Sequence, residues 1–144
     1  MKPFLSALLF VLTLAGCTSS RTFITSDQVI GPYSPAVKVG NLLFVSGQIA
    51  MRPGTTELAA DSIEIQTRQS LENVKGLLSK AGYAMDDVVQ CTVYLKDMND
   101  FTKMNQVYGT FFKQGQYHTR TTVEVSNLPR KARIEITVVA TKGQ

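Results

Sequence analysis

The chain has no tryptophan, a single histidine, His118, and only two cysteines, Cys17 and Cys91. No spacing of Cys and His recurs, so the sequence carries no metal-ligand pattern. Charge of one sign is also scarce: 15 Lys and Arg stand against 11 Asp and Glu. The basic residues are scattered except for "PRKAR" at 129–133. No aromatic residues interleave with that cluster as a base-stacking surface requires, so it reads as a solvated turn and nucleic acid is not expected as a partner. Linkers and low-complexity tracts are missing after residue 21, and 144 residues that are 44% hydrophobic suit one domain with one core.

Long apolar runs are limited to residues 4–15, too short to span a bilayer and stay there. Lys2 before that run and small residues after it give the layout of a secretory signal. Within it "LAGC", residues 14–17, resembles the lipobox of bacterial lipoproteins. That resemblance implies a signal peptide over 1–16, a lipidated Cys17 with a short tether over 17–21, and a domain over 22–144. Thr18 in place of Asp suggests the outer membrane, on its periplasmic face. An ordinary signal peptide cut nearby is the alternative. If Cys17 is acylated, Cys91 has no partner for an intramolecular disulfide, and within "VVQCTVYL" it reads as a small buried hydrophobe.

Hydrophobic periodicity outlines the domain. "FITSDQ" at 23–28 suits a short first strand, and the two prolines of "GPYSP" at 31–35 mark an extended loop. "AVKVGNLLFVSGQIA" alternates, breaks at Gly40-Asn41 and resumes, which is a hairpin signal. Asp61 with Glu64 makes a capping box for a helix whose Ile63, Leu71, Val74 and Leu78 share a face until Gly82 stops it. "DVVQCTVYLKD" gives a strand; Asn99 is a cap candidate for a second helix with Phe101, Met104, Tyr108 and Phe111 on one face. The order is β-β-β-α-β-α-β-β, an α+β sandwich of one sheet against two helices.

The last segment, "RTTVEVSNLPRKARIEITVVA" at 120–140, reads as a closing hairpin. A turn in "SNLPRK" would make Arg120 and Glu135 near cross-strand neighbours. Facing opposite charges contribute only about 0.2 to 1 kcal/mol, so stability is a weak reason to place them there, although a rim ion pair is the simple alternative.

Five blocks carry a wider resemblance: "GPYSPAV" at 31–37, "FVSGQI" at 44–49, "TRQSLENVKGLL" at 67–78, "DVVQCTVYLKDMNDFTKMNQVY" at 87–108 and "RTTVEVSNLPRKARIEI" at 120–136. In that order they resemble the Rid (YjgF) family of reactive-intermediate deaminases. The resemblance implies a chorismate-mutase-like fold with one mixed sheet, a homotrimer with small-molecule sites between subunits, and no cofactor or metal. It implies hydrolysis of 2-imino and enamine acids of the 2-aminoacrylate type to 2-keto acid and ammonia. Arg120 then matches the arginine that grips the substrate carboxylate, and Glu135 the acid that positions the attacking water. Tyr33, Ser46, Gly47 and Asn105 match residues lining the cleft. Arginine suits its role because a planar, permanently charged guanidinium holds a carboxylate with two parallel hydrogen bonds. His118 and Thr119 depart from a common Pro-Ala flank, Thr122 from a frequent cysteine, and the loop "KQGQY" is shorter. The alternative is a non-catalytic module of this fold that binds small carboxylates or keto acids at the cell envelope. A partner-binding role has no specific stretch to support it.

Overall fold

A computed structural model describes residues 20–26, 29 and 31–143. The signal peptide, the lipobox and Cys17 lie outside the described residues. No helix among the described residues is long and apolar enough to cross a membrane. Eight main elements follow the expected order: β1 (Arg21–Ile24), β2 (Ala36–Val39), β3 (Leu42–Ile49), α1 (Ile63–Lys80), β4 (Val88–Leu95), α2 (Phe101–Tyr108), β5 (Thr119–Glu124) and β6 (Ile134–Thr141). β1 thus begins at Arg21, one residue inside the expected tether.

The strands form one mixed sheet in the order β1-β2-β3-β6-β4-β5. Gly40, at a φ of 57°, supplies the left-handed step of the β2–β3 turn. On one face, Leu43, Val93, Leu95, Ile134, Ile136 and Val138 pack against Leu71, Val74 and Leu78 of α1 and Met104 of α2, all essentially buried. Each such side chain contributes about 1.5 to 3 kcal/mol by leaving water. Cys91 is buried in this layer, as its strand context implied. Strict alternation along β6 sends Glu135, Thr137 and Val139 to the opposite face.

Both helix starts differ from expectation by a residue or two. Ser62, not Asp61, caps α1: its hydroxyl accepts from the Ile65 N–H and donates to the Glu64 carboxylate at 2.7 Å. Asp61 is drawn away by Arg133, whose Nε donates to it at 2.6 Å while Nη1 donates to Asp100 at 3.1 Å. Asp97, not Asn99, caps the 3₁₀ turn Met98–Asp100 that leads into α2, its carboxylate accepting from the Asn99 N–H. Gly82, at a φ of 81°, ends α1 as expected.

The larger correction concerns the closing segment. β5 and β6 do not form a hairpin: β5 runs parallel to β4, with Arg120 opposite Cys91, and β6 runs antiparallel between β3 and β4, with Glu135 opposite Tyr94. Residues 125–133 are too long and too well anchored for a tight turn. Leu128 and Ala132 are buried in a second small cluster with Ile49 and Met51. The Val125 N–H donates to the Leu95 carbonyl and the Lys96 N–H to the Arg133 carbonyl, so this segment crosses the end of β4. Arg130 and Lys131 both adopt positive φ within it.

Candidate active site in two halves

Arg120 lies on β5, the sheet edge, level with Cys91 and therefore on the helix side of the sheet. Its guanidinium carbon stands 4.6 Å from the centre of the Tyr108 ring and 5.9 Å from that of Phe101. No carboxylate among the described residues forms an ion pair with it. The cation sits against both rings of α2 and also interacts with the Tyr108 hydroxyl; with no carboxylate paired to it, its remaining N–H donors can meet an anion. A cavity of about 400 Å³ opens there, lined by Asn105, Tyr108, Gly109, Tyr117, His118 and Arg120.

Tyr108 is fixed from behind. Its hydroxyl pairs with Nε2 of His118 at 2.5 Å, its ring lies 4.9 Å from that of Phe112, and Phe112 meets His118 edge-on at 4.3 Å. Burial, with Cys91 as neighbour, holds the Tyr108 phenol far above the usual range, so it keeps its proton. Burial pushes the Cys91 thiol up to about 11. Burial and then the Arg120 charge lower the pKa of His118, which favours the neutral imidazole.

Glu135 belongs to a second cluster. On β6 it lies between Tyr94 of β4 and Ile49 of β3, half-buried on the face turned away from the helices. A bulge in β3 between Val45 and Gln48 brings the Gly47 backbone beneath it. A Cβ at Gly47 would stand 1.7 Å from Glu135 Oε1, so glycine lets the carboxylate lie where it does and any side chain here would displace it. Burial raises the Glu135 pKa, and with it the carboxylate's basicity. A cavity of about 290 Å³ beside it is lined by Tyr33, Gly47, Gln48, Asn73 and Pro129 among others. The Ser46 hydroxyl is committed elsewhere: it donates to the Ser34 carbonyl at 2.7 Å while the Ser46 N–H donates to the Pro35 carbonyl. It fastens the Tyr33 loop to β3 and leaves Tyr33 47% exposed over the cavity.

The expected site residues therefore sort into two sets: Arg120 with Asn105, and Glu135 with Gly47 and Tyr33, Ser46 standing behind. Two strand spacings of about 4.8 Å and three residues of about 3.3 Å separate the Arg120 and Glu135 backbones, and their side chains leave opposite faces. They cannot meet around one small molecule within a single chain. Thr122 lies two residues along β5 from Arg120, its Oγ1 buried without a hydrogen-bond partner among the described residues. Thr119 Oγ1 donates to the Val89 carbonyl and ties β5 to β4. Periodicity placed Tyr108 and Phe101 on a helix face but did not identify them as the seat of Arg120. The available signal was a tyrosine on an apolar stripe with the lone histidine ten residues later.

The family model for endoribonuclease L-PSP matches residues 24–142. The chain belongs to this family, that of the RutC and Rid proteins. A RutC family protein of Pyrococcus horikoshii is 53% identical over 117 residues, 81% of this chain and 92% of its own. The 2-iminobutanoate/2-iminopropanoate deaminase of Escherichia coli is 41% identical over 127 residues, 85% of this chain and 98% of its own. The Rid family protein YyfA of Yersinia pestis, a crystal structure, superposes with a TM-score of 0.81 at 37% identity, covering 85% of this chain and all of that one. The Rid fold and its mixed sheet are thus those of the present chain.

Proposed function

We propose that this Rid-family chain hydrolyses small 2-imino acids to 2-keto acids and ammonia, in sites assembled where the Arg120 half of one copy meets the Glu135 half of another. The observation that carries the reading is the division itself. An arginine with no carboxylate paired to it among the described residues and a carboxylate of raised basicity stand on opposite faces, each beside a cavity, in a relative of an imine deaminase. Arg120 would clamp the substrate carboxylate. Glu135 would take a proton from water as its oxygen bonds to the imine carbon. That proton passes to the imine nitrogen to complete the carbinolamine, whose hydroxyl proton is then transferred to nitrogen through Glu135 as the C–N bond breaks, so that ammonia leaves and the C=O of the keto acid forms.

Assembly is supported by the apolar row Phe23, Val37, Phe44 and Val139, which runs level across four strands on the face that carries Glu135, its two valines half-buried and its two phenylalanines exposed. Phe23 is 60% exposed and Phe44 45%, an apolar face suited to burial against further copies, which we take to be three in all. We further propose that Cys17 is acylated and holds the domain at the envelope membrane. Fatty-acid labelling of the full chain and of Cys17→Ser tests this; an unlabelled wild type refutes it.

The decisive assay generates 2-iminopropanoate or 2-iminobutanoate in situ with an amino-acid oxidase, traps residual imine with semicarbazide, and follows loss of trapped product. Wild type is expected to lower it. A wild type that binds pyruvate through Arg120 yet leaves the imine untouched would establish the non-catalytic module instead. Light scattering at micromolar concentration checks the assembly, and a monomer would remove the shared site.

A further inference from the structure

We propose that His118 is a positioning residue for carboxylate recognition: it fixes Tyr108, whose ring carries the Arg120 guanidinium, and its protonation is thereby coupled to the affinity of the site for an anion. The inference rests on the proposed role of Arg120 as the carboxylate clamp. Arg120 has no ion-pair partner among the described residues, so its position is set by Tyr108, whose ring centre lies 4.6 Å away and whose hydroxyl interacts with the guanidinium, and by Phe101. Tyr108 is in turn held at both ends, by Phe112 against its ring and by Nε2 of His118 on its hydroxyl. The histidine also packs edge-on against Phe112, which closes a triangle of three rings beneath the cation.

The groups facing His118 come from three elements and its own loop: Tyr108 from α2, with Cys91 of β4 behind it, Arg120 from β5, and Tyr117 beside it on the cavity wall. The charge acting on it is that of Arg120. Because the Tyr108 oxygen already meets the Arg120 donors, we assign the ring proton of the neutral imidazole to Nδ1, with Nε2 accepting a hydrogen bond from the Tyr108 hydroxyl. Protonation turns Nε2 into a donor. The phenol then accepts and directs its own proton to Cys91, with which it already interacts. The contact survives, but a second cation now borders the cavity that holds Arg120. Without a ligand the two cations repel; a bound carboxylate offsets that repulsion. Carboxylate binding must therefore raise the His118 pKa, and by reciprocity affinity must rise as pH falls through it. At the separations within one such cavity the gain is about threefold to tenfold.

His118 is the chain's one histidine, so tag-free protein gives a single ring Hε1 resonance to follow by proton NMR across pH, with and without saturating pyruvate. Pyruvate is expected to move its midpoint upward. Pyruvate binding is measured in parallel from pH 7.5 to 5 on a Glu135→Gln background, which removes the carboxyl whose pKa burial raises and leaves His118 to account for any pH dependence. His118→Leu is expected to weaken binding about tenfold at pH 7.5 and to abolish the pH dependence. His118→Gln, which can still accept from Tyr108 but cannot be protonated, should recover part of the affinity and remain flat. If pyruvate binds through Arg120 but leaves the His118 midpoint unmoved, or if His118→Gln keeps the wild-type pH profile, this inference falls and the clamp stands. If wild type binds no pyruvate at any pH, the clamp falls and takes this inference with it.

Discussion

Gly47 and Glu135 constrain each other so closely that a single methyl tests the site. In Gly47→Ala the new Cβ would occupy the place of the carboxylate, 1.7 Å from Oε1, so the side chain must swing away. Turnover is expected to fall at least about a hundredfold, the size expected when a positioned proton acceptor is lost, while far-UV circular dichroism stays unchanged. Arg120→Ala should cost a similar factor, about 3 kcal/mol of binding to the transition state, and Arg120→Lys should recover little because a point charge lacks the fork. Both are read in the semicarbazide assay. The pH profile belongs to the same scale. Because burial raises the Glu135 pKa in the fold, the acid limb of kcat should have its midpoint above the usual carboxylate value of 4.5. The sign for stability follows: the contribution of Glu135 is present below its unfolded pKa and is lost as pH rises through the folded one. At pH 7 Glu135→Gln should therefore melt no lower than wild type while being inactive. A melting temperature several degrees lower would mean that the carboxylate is held by partners and not desolvated.

Among the elements, local signals were legible and long-range pairing was not. Gly40-Asn41 marked the β2–β3 turn and Gly82 the end of α1, because both need a left-handed backbone that few residues supply. The helix faces followed from periodicity, since Leu71, Val74 and Leu78 recur as burial demands. The caps shifted because Asp61 and Ser62 compete for one role, and the distant Arg133 decided between them by taking Asp61. No periodicity in the chain could reveal that β6 passes between β3 and β4. "SNLPRK" has turn composition, and only the burial of Leu128 and Ala132 distinguishes a crossing segment from a hairpin loop. The family resemblance supplied the candidate site residues, but spacing within one chain misplaced Arg120 and Glu135 as neighbours. The loop that carries Tyr33 is a testable element of its own. Ser46→Ala removes the bond to the Ser34 carbonyl and should cost about 1 kcal/mol in urea unfolding, with a raised KM as Tyr33 loses its seat. Unchanged KM would detach the loop from the site.

At the scale of the whole molecule, the separation of Arg120 from Glu135 makes a prediction that no single-chain site shares. If each active site takes its arginine from one copy and its carboxylate from the next, then Arg120→Ala and Glu135→Gln chains are each inactive alone. Neither lacks what the other has lost. When the two are unfolded together and refolded in equal amounts, random assembly places an intact arginine against an intact carboxylate at about a quarter of the interfaces of a closed ring. Activity should therefore return to roughly a quarter of that of wild type treated in the same way. Mixing the folded proteins without dissociation should return little, and the double variant Arg120→Ala with Glu135→Gln should rescue neither partner. A site formed within one chain gives no activity under any mixing regime, because every chain then carries its own defect. Recovery in the refolded mixture alone would assign the two halves to different copies. Its absence, with both single variants folded and assembled, would contradict the shared site even if wild type hydrolyses imines.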